Sequence, residues 1–200
     1  MKVILLVLIF ISISIKSNAG LINPFVSPIN LNIGIDYMKP MLSNLTATNL
    51  QAPEQNLFKG ENLNIYAGLR LFRFIGAETG YTNFNGNSFK NNGQIFDTKM
   101  NQTYIDAKLY MPIIDLQAFT AELYGSIGLA NLSGSYYKTS TSFSENIDIK
   151  NATKIGGGIE FSILKTFSAR VGYYQLNKQI PTLENNKFSA YYGGFSIYLI

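Results

Sequence analysis

Apolar and polar residues alternate along most of the chain beyond residue 30, with a repeat of two residues. A repeat of two is typical of β-strands, whereas an amphipathic helix repeats every 3.6 residues. Eight segments show this alternation: residues 30–38, 62–71, 74–84, 103–111, 118–129, 153–163, 167–176 and 188–200. Most approach the ~9–11 residues that a tilted strand needs to cross a bilayer, and they exceed the ~5–6 of an ordinary strand. The pattern therefore predicts an all-β chain.

The links between these segments alternate in length. Three are short and span residues 72–73, 112–117 and 164–166. The other four are long and rich in Asn, Ser, Thr and Gly, and they span residues 39–61, 85–102, 130–152 and 177–187. Short turns at one end and long polar loops at the other are typical of an outer-membrane barrel.

The two faces of the eight segments differ in charge. One face is apolar and carries no charged residue, with Leu31, Ile65 and Ile127 among its members. A charge there would cost ~2–4 kcal/mol at the middle of a bilayer, so this face suits lipid. The other face is small, glycine-rich and aromatic, which suits a narrow barrel interior. We therefore predict an eight-stranded antiparallel up-and-down transmembrane β-barrel with short periplasmic turns and four long extracellular loops.

The polar face also predicts a charge network inside the barrel. Its charged members are Asp36, Arg70, Glu78, Asp106, Lys108, Glu122, Lys154, Glu160 and Arg170. We expect Glu78, Glu122 and Glu160 to lie close to Arg70, Lys108 or Arg170 and to close any continuous channel. Glu122 and Glu160 could in principle act as an acid and a base, but charge compensation in a closed lumen is the favoured interpretation.

The first residues predict a targeting segment. Lys2 precedes an apolar run over residues 3–15, and Ser17 and Ala19 supply the small residues that a signal peptidase recognises. The run is too short to span a membrane as a helix. We expect a signal peptide over residues 1–19, an extended lead-in over residues 20–29 and the barrel over residues 30–200.

Composition excludes several kinds of chemistry. The chain has no Cys and no His, so it lacks thiolate ligands, the commonest general base and the commonest metal ligand. A net charge of +4 with scattered basic residues argues against nucleic-acid binding. We predict no catalytic residue, no cofactor and no metal site.

Glycine and aromatic residues at alternate positions recur through the chain. They form the stretches IGAETGY at residues 75–81, YIDAKLYMP at 104–112, IGGGIEF at 155–161, SARVGYY at 168–174 and GFSIYLI at 194–200. Together these stretches resemble the small eight-stranded outer-membrane barrels of the OmpA, OmpX and opacity-protein superfamily. The resemblance implies residence in the outer membrane of a Gram-negative bacterium, as a monomer in contact with lipopolysaccharide and other membrane lipid and assembled by the barrel assembly machinery.

The loops are the expected seat of function, because loops on a rigid scaffold usually carry binding specificity. We expect a non-enzymatic surface protein whose loops serve adhesion to a host surface molecule, antigenicity or envelope integrity. The third long link supplies the candidate contact residues Tyr136, Tyr137 and Phe143. The alternative is a narrow porin-like pore for ions or small solutes, and a more distant one is a secreted soluble β-barrel binder.

Overall fold

The computed structural model describes residues 29–43, 55–57, 62–71, 73–84, 87–91, 94–116, 118–138, 144–164, 166–177 and 187–199. Within these ranges the chain forms ten strands: β1 (Ile29–Ser43), β2 (Gln55–Leu57), β3 (Leu63–Leu71), β4 (Ile75–Asn83), β5 (Asn87–Asn91), β6 (Gln94–Asp115), β7 (Phe119–Lys138), β8 (Ser144–Ile163), β9 (Phe167–Asn177) and β10 (Lys187–Tyr198). In the same ranges no helix is long and apolar enough to cross a membrane.

Eight of the strands close into a barrel. Each pairs antiparallel with its neighbours in the order β6, β4, β3, β1, β10, β9, β8, β7, and the pairing of β7 with β6 completes the ring. The short strands β2 and β5 lie outside the ring and extend the sheet from the outer part of β6. The predicted eight-stranded antiparallel barrel is therefore confirmed.

The stagger of the strands follows from their pairing. A row of directly paired residues can be traced once around the ring from Ile29, through Leu71, Ile75, Leu109, Gly125, Gly157, Tyr173 and Tyr191, to Lys39. The row leaves β1 at residue 29 and returns at residue 39, a stagger of ten residues. Such a stagger goes with strands tilted by about 35–45° to the barrel axis.

The outward face is apolar and exposed, as the alternation predicts. The side chains of Ile65, Leu109 and Phe195 are 63%, 66% and 70% exposed. Soluble monomers do not leave so continuous an apolar surface open to water, whereas a membrane barrel turns it to lipid.

Tyrosine rings lie over glycines inside the barrel. Tyr104 on β6 lies directly opposite Gly80 on β4, and a Cβ at Gly80 would come within 2.6 Å of the tyrosine hydroxyl and 2.7 Å of its ring. The same cross-strand arrangement pairs Tyr66 with Gly34, Tyr124 with Gly158 and Tyr192 with Gly172. The missing side chains therefore make room for large rings in a narrow interior.

Several strands run further than the alternation predicts. β1 continues to Ser43, β6 starts at Gln94, and β7 and β8 extend to Lys138 and from Ser144. The predicted long links at residues 39–61, 85–102 and 130–152 are therefore strand over part of their length. β4 pairs with β6 only from Asn101 onward, and β9 pairs with β8 only from Thr153 onward. The parts of β6 and β8 that precede these residues, together with the end of β7 and the short strands β2 and β5, form a raised sheet above the barrel wall.

A bulge marks the start of the raised sheet. Asn131 on β7 faces two residues of β8, Lys150 and Asn151, and the register shifts there. Asn151 has a φ of 54°, and its backbone N–H donates to the side-chain oxygen of Asn131 at 2.8 Å. Asn tolerates this left-handed conformation better than most residues, so the sequence suits the bulge.

Candidate functional site

The nine predicted lumen charges all point into the barrel. Each is at most 5% exposed, and they are Asp36, Arg70, Glu78, Asp106, Lys108, Glu122, Lys154, Glu160 and Arg170. Their inward placement follows from the period of two, since each lies on the face opposite the apolar positions. Buried charges are tolerated only when they are paired and hydrogen-bonded, so their partners decide what this interior can do.

Arg170 on β9 is the centre of the largest cluster. Its Nε donates to Asp36 Oδ1 at 2.9 Å, its Nη2 donates to Asp36 Oδ2 at 2.6 Å, and its Nη1 donates to Glu78 Oε2 at 2.5 Å. Lys108 Nζ donates to the same Glu78 oxygen at 2.5 Å, and Asn64 Nδ2 donates to Asp36 Oδ2 at 2.8 Å. One guanidinium thus joins β9 to β1 and, across the lumen, to β4.

Two further ion pairs span strands that are not neighbours. Arg70 on β3 binds Glu122 on β7 through two parallel hydrogen bonds of 2.7 Å each. Lys154 on β8 binds Asp106 on β6 at 2.5 Å, and its Nζ lies 3.5 Å from the centre of the Tyr104 ring. These contacts join strands that lie two and three positions apart around the ring, and such charge-assisted hydrogen bonds are stronger than neutral ones.

Glu160 differs from the other four carboxylates. It lies directly opposite Glu122 in the register of β7 and β8 and accepts a hydrogen bond from Tyr198 Oη at 2.5 Å. On its other side Glu160 lies directly opposite Arg170 of β9, so it is next to one of the expected cations. Among the described residues, however, no cation forms an ion pair with it within 4 Å. Glu122 and Glu160 are both buried, and each already accepts hydrogen bonds from side chains of the barrel interior.

Above the ion pairs a cluster of apolar side chains occupies the interior. Phe84, Leu132, Leu176 and Phe188 are at most 1% exposed, and the rings of Phe84 and Phe188 meet edge to face with centroids 5.3 Å apart. Met38, Met100, Ile149 and Tyr174 belong to the same cluster. The described side chains therefore fill the barrel at two levels, one charged and one apolar.

The predicted contact residues are placed differently from the expectation. Tyr136 and Tyr137 belong to β7 in the raised sheet, where they pair with Glu145 and Ser144 of β8, so they are strand residues and not part of a loop. Phe143 lies outside the described residues. The alternation of apolar and polar residues is weaker in the raised sheet because much of both of its faces is polar. In addition, the bulge reverses which residues of β8 point inward.

The possible metal ligands are dispersed in the part of the chain that the structure describes. No group of three or more Asp, Glu, His or Cys residues lies close enough there to hold a metal ion. The charged interior instead provides mutual neutralisation of cations and carboxylates.

A closed antiparallel barrel with an apolar exterior and a packed, charged interior defines a transmembrane β-barrel of the outer-membrane type. The chain belongs to the family of OmpA-like transmembrane domains, whose sequence profile matches residues 42–196. It is a protein of the outer membrane of a Gram-negative bacterium.

Solved structures share the fold at low sequence identity. The attachment invasion locus protein Ail of Yersinia pestis is 14% identical with a TM-score of 0.51, over 86% of this chain and 97% of Ail. Neisserial surface protein A is 16% identical with a TM-score of 0.50, over 86% of this chain and 97% of that protein. No curated protein sequence gives a significant match.

Proposed function

We propose that this protein is a non-enzymatic surface protein, in which the barrel anchors the raised sheet and the raised sheet binds a partner outside the cell. The observation that carries this proposal is the length of β6, β7 and β8, which have 22, 20 and 20 residues. A strand needs only ~9–11 residues to cross the bilayer, so about half of each strand is available beyond it. Ordered structure that the membrane does not require is a natural place for recognition.

The proposal favours display over transport because the interior is occupied. Eight strands leave a lumen that side chains can just fill. Here the Arg170 cluster fills one level and the Phe84–Phe188 cluster fills another. A narrow pore for ions or small solutes is the second candidate, and it requires both levels to open.

A shortened hairpin tests the role of the raised sheet. Ser133 and Asp148 lie directly opposite each other, so residues 134–147 can be replaced by Asn-Gly, which forms a two-residue hairpin turn. We expect the variant to fold in detergent, because the ion pairs and the ring closure lie below the cut. Binding to an array of host matrix proteins, glycosaminoglycans and lipopolysaccharide should fall to background.

A matched variant distinguishes the effect of strand length from the effect of the tyrosine side chains. Tyr136→Ser together with Tyr137→Ser keeps the strand length and removes both rings, and we expect it to weaken binding without abolishing it. Unchanged binding by the folded, shortened protein would refute the assignment to the raised sheet.

Conductance measurements distinguish the second candidate, a narrow pore, from the display role. We expect the wild-type protein to insulate a planar lipid bilayer, since apolar and ion-paired layers both block ions. Steady single-channel steps from the folded protein would favour the pore and contradict the display role.

A further inference from the structure

Lys39 is a charged residue on the lipid-facing side of the barrel. It lies within β1, its side chain is exposed, and it follows the outward-facing residues Ile29, Leu31, Ile33, Ile35 and Tyr37 at intervals of two. The alternation assigns residues 39–61 to a loop, where a lysine requires no explanation. The outward residues of β1 from Ile29 to Tyr37 carry no charge, so the position of Lys39 requires one.

The depth of Lys39 follows from the geometry of β1. Ten steps of about 3.3 Å, along a strand tilted by about 40°, raise Lys39 about 25 Å above Ile29. This height equals the ~25 Å of the apolar band of an outer-membrane barrel. Ile29 pairs with Leu71 next to a short turn, so Lys39 lies at the opposite, outer boundary of the band. At that boundary the charged groups of lipid headgroups begin.

Two tyrosines lie beside Lys39 on the same surface. Tyr191 on β10 is its direct partner across the strands, and Tyr173 on β9 is the direct partner of Tyr191. The two rings have centroids 5.1 Å apart, and both hydroxyl groups can donate hydrogen bonds. Tyrosines at a membrane interface keep the ring in the apolar layer and the hydroxyl among the headgroups.

Lys39 also lacks an internal counter-ion among the described residues. The four lumen cations, as well as Arg73 and Lys150, each form an ion pair with a carboxylate within 4 Å, whereas no such pair involves Lys39. Within the described surface its charge is therefore available to an anion from outside the chain.

We propose that Lys39, Tyr173 and Tyr191 form a site for the phosphate group of an outer-leaflet lipid. The ammonium supplies the charge, and the tyrosine hydroxyls supply hydrogen bonds to the phosphate oxygens. The depth of the site selects a lipid over a soluble phosphate, because the acyl chains of a bound lipid lie along the apolar wall below. A second copy of the chain fits less well, since a symmetric contact centred on Lys39 would bring two like charges together.

Lipid retention tests this site. Wild-type protein is reconstituted into phosphatidylcholine vesicles containing a minor fraction of lipid A, extracted with mild detergent, and weighed with its bound lipids by native mass spectrometry. We expect enrichment of lipid A over its fraction in the vesicle. Lys39→Gln should reduce the enrichment about five-fold, the effect of one basic residue at an anionic membrane surface. Lys39→Arg should preserve it, and Arg73→Gln, at the opposite boundary, should leave it unchanged.

Two further measurements test the role of the phosphate group and the preference for a lipid. Dephosphorylated lipid A should show no enrichment on the wild-type protein, which tests the phosphate without any substitution. Millimolar inorganic phosphate in the buffer should not displace the lipid. The proposal fails if wild type and Lys39→Gln retain lipid A equally, if dephosphorylated lipid A is retained as well, or if crosslinking shows that this face is covered by a second copy.

Discussion

Removing the guanidinium of Arg170 tests whether the lumen charges hold the barrel together. Arg170→Met keeps a long apolar side chain but leaves Asp36 with a single described hydrogen bond, from Asn64 at 2.8 Å. Breaking a buried ion pair from one side typically costs about 3–5 kcal/mol, because the other charge stays buried without compensation. Glu78 keeps Lys108 as a partner, so the loss falls mainly on Asp36. We expect the free energy of unfolding to fall by about 3–4 kcal/mol in urea titrations from phosphatidylcholine vesicles, followed by tyrosine fluorescence.

The control is an ion pair of similar length and different burial. Arg73 Nη2 and Asp115 Oδ2 are 2.7 Å apart, but their side chains are 21% and 42% exposed, against 2% and 0% for Arg170 and Asp36. Water screens such a pair, so Arg73→Met should cost less than about 1 kcal/mol. Adding Asp36→Asn to Arg170→Met should recover at least about 1 kcal/mol relative to the sum of the single changes. Equal costs at both sites, or strict additivity in the double variant, would refute the structural role of the Arg170 cluster.

Three other substitutions test the wall, the interior packing and the bulge by the same unfolding assay. Gly80→Ala places a methyl group against the Tyr104 ring and should cost about 1–3 kcal/mol, whereas Gly125→Ala, with no atom within 4 Å of its Cβ, should be near neutral. Ile159→Lys places a charge near the middle of the apolar band and should cost about 2–4 kcal/mol, and Ile159→Val should stay within about 1.5 kcal/mol. Asn151→Ala should cost about 1 kcal/mol because its φ of 54° is unfavourable for alanine, while Asn151→Gly should be tolerated, and the reverse order would show that the bulge is not set by this backbone conformation.

The barrel wall could be predicted from the sequence because lipid imposes a strict rule on it. Every outward position in the apolar band must avoid charge, so residues such as Ile65 and Val171 identify the outward face by alternation alone. The same pattern assigns their sequence neighbours to the interior, and among these Asp36, Glu78 and Arg170 are buried.

The pairing inside the lumen could not be predicted to the residue. Which cation meets which carboxylate depends on the stagger of ten residues around the ring, and alternation carries no information about stagger. Arg70 reaches Glu122 and Lys154 reaches Asp106 because their strands bring them to one height, although they lie 52 and 48 residues apart in the chain.

The sequence did not predict the raised sheet or the outward position of Lys39 on β1, for a related reason. Outside the apolar band nothing forces one face of a strand to be apolar, so the polar ends of β6, β7 and β8 resemble loops in the sequence. A buried residue such as Leu132 was the available signal, since an isolated apolar residue among Asn and Ser suits a strand with one covered face. Lys39 lies where the band ends, at the position where the alternation stops being informative.

The seam between β1 and β10 determines how this chain has to fold. Twelve residue pairs join the two strands, from Asn32 with Tyr198 to Ser43 with Lys187, so the first and last strands of the barrel are neighbours. Contacts at such sequence separation form late, because closing a long loop costs conformational entropy before any contact offsets it. A chain without β10 would leave unpaired backbone groups on both β1 and β9, which hydrocarbon does not tolerate. Membrane insertion and ring closure are therefore coupled, and a nascent or truncated chain that lacks its last strand cannot form a stable inserted structure in the bilayer.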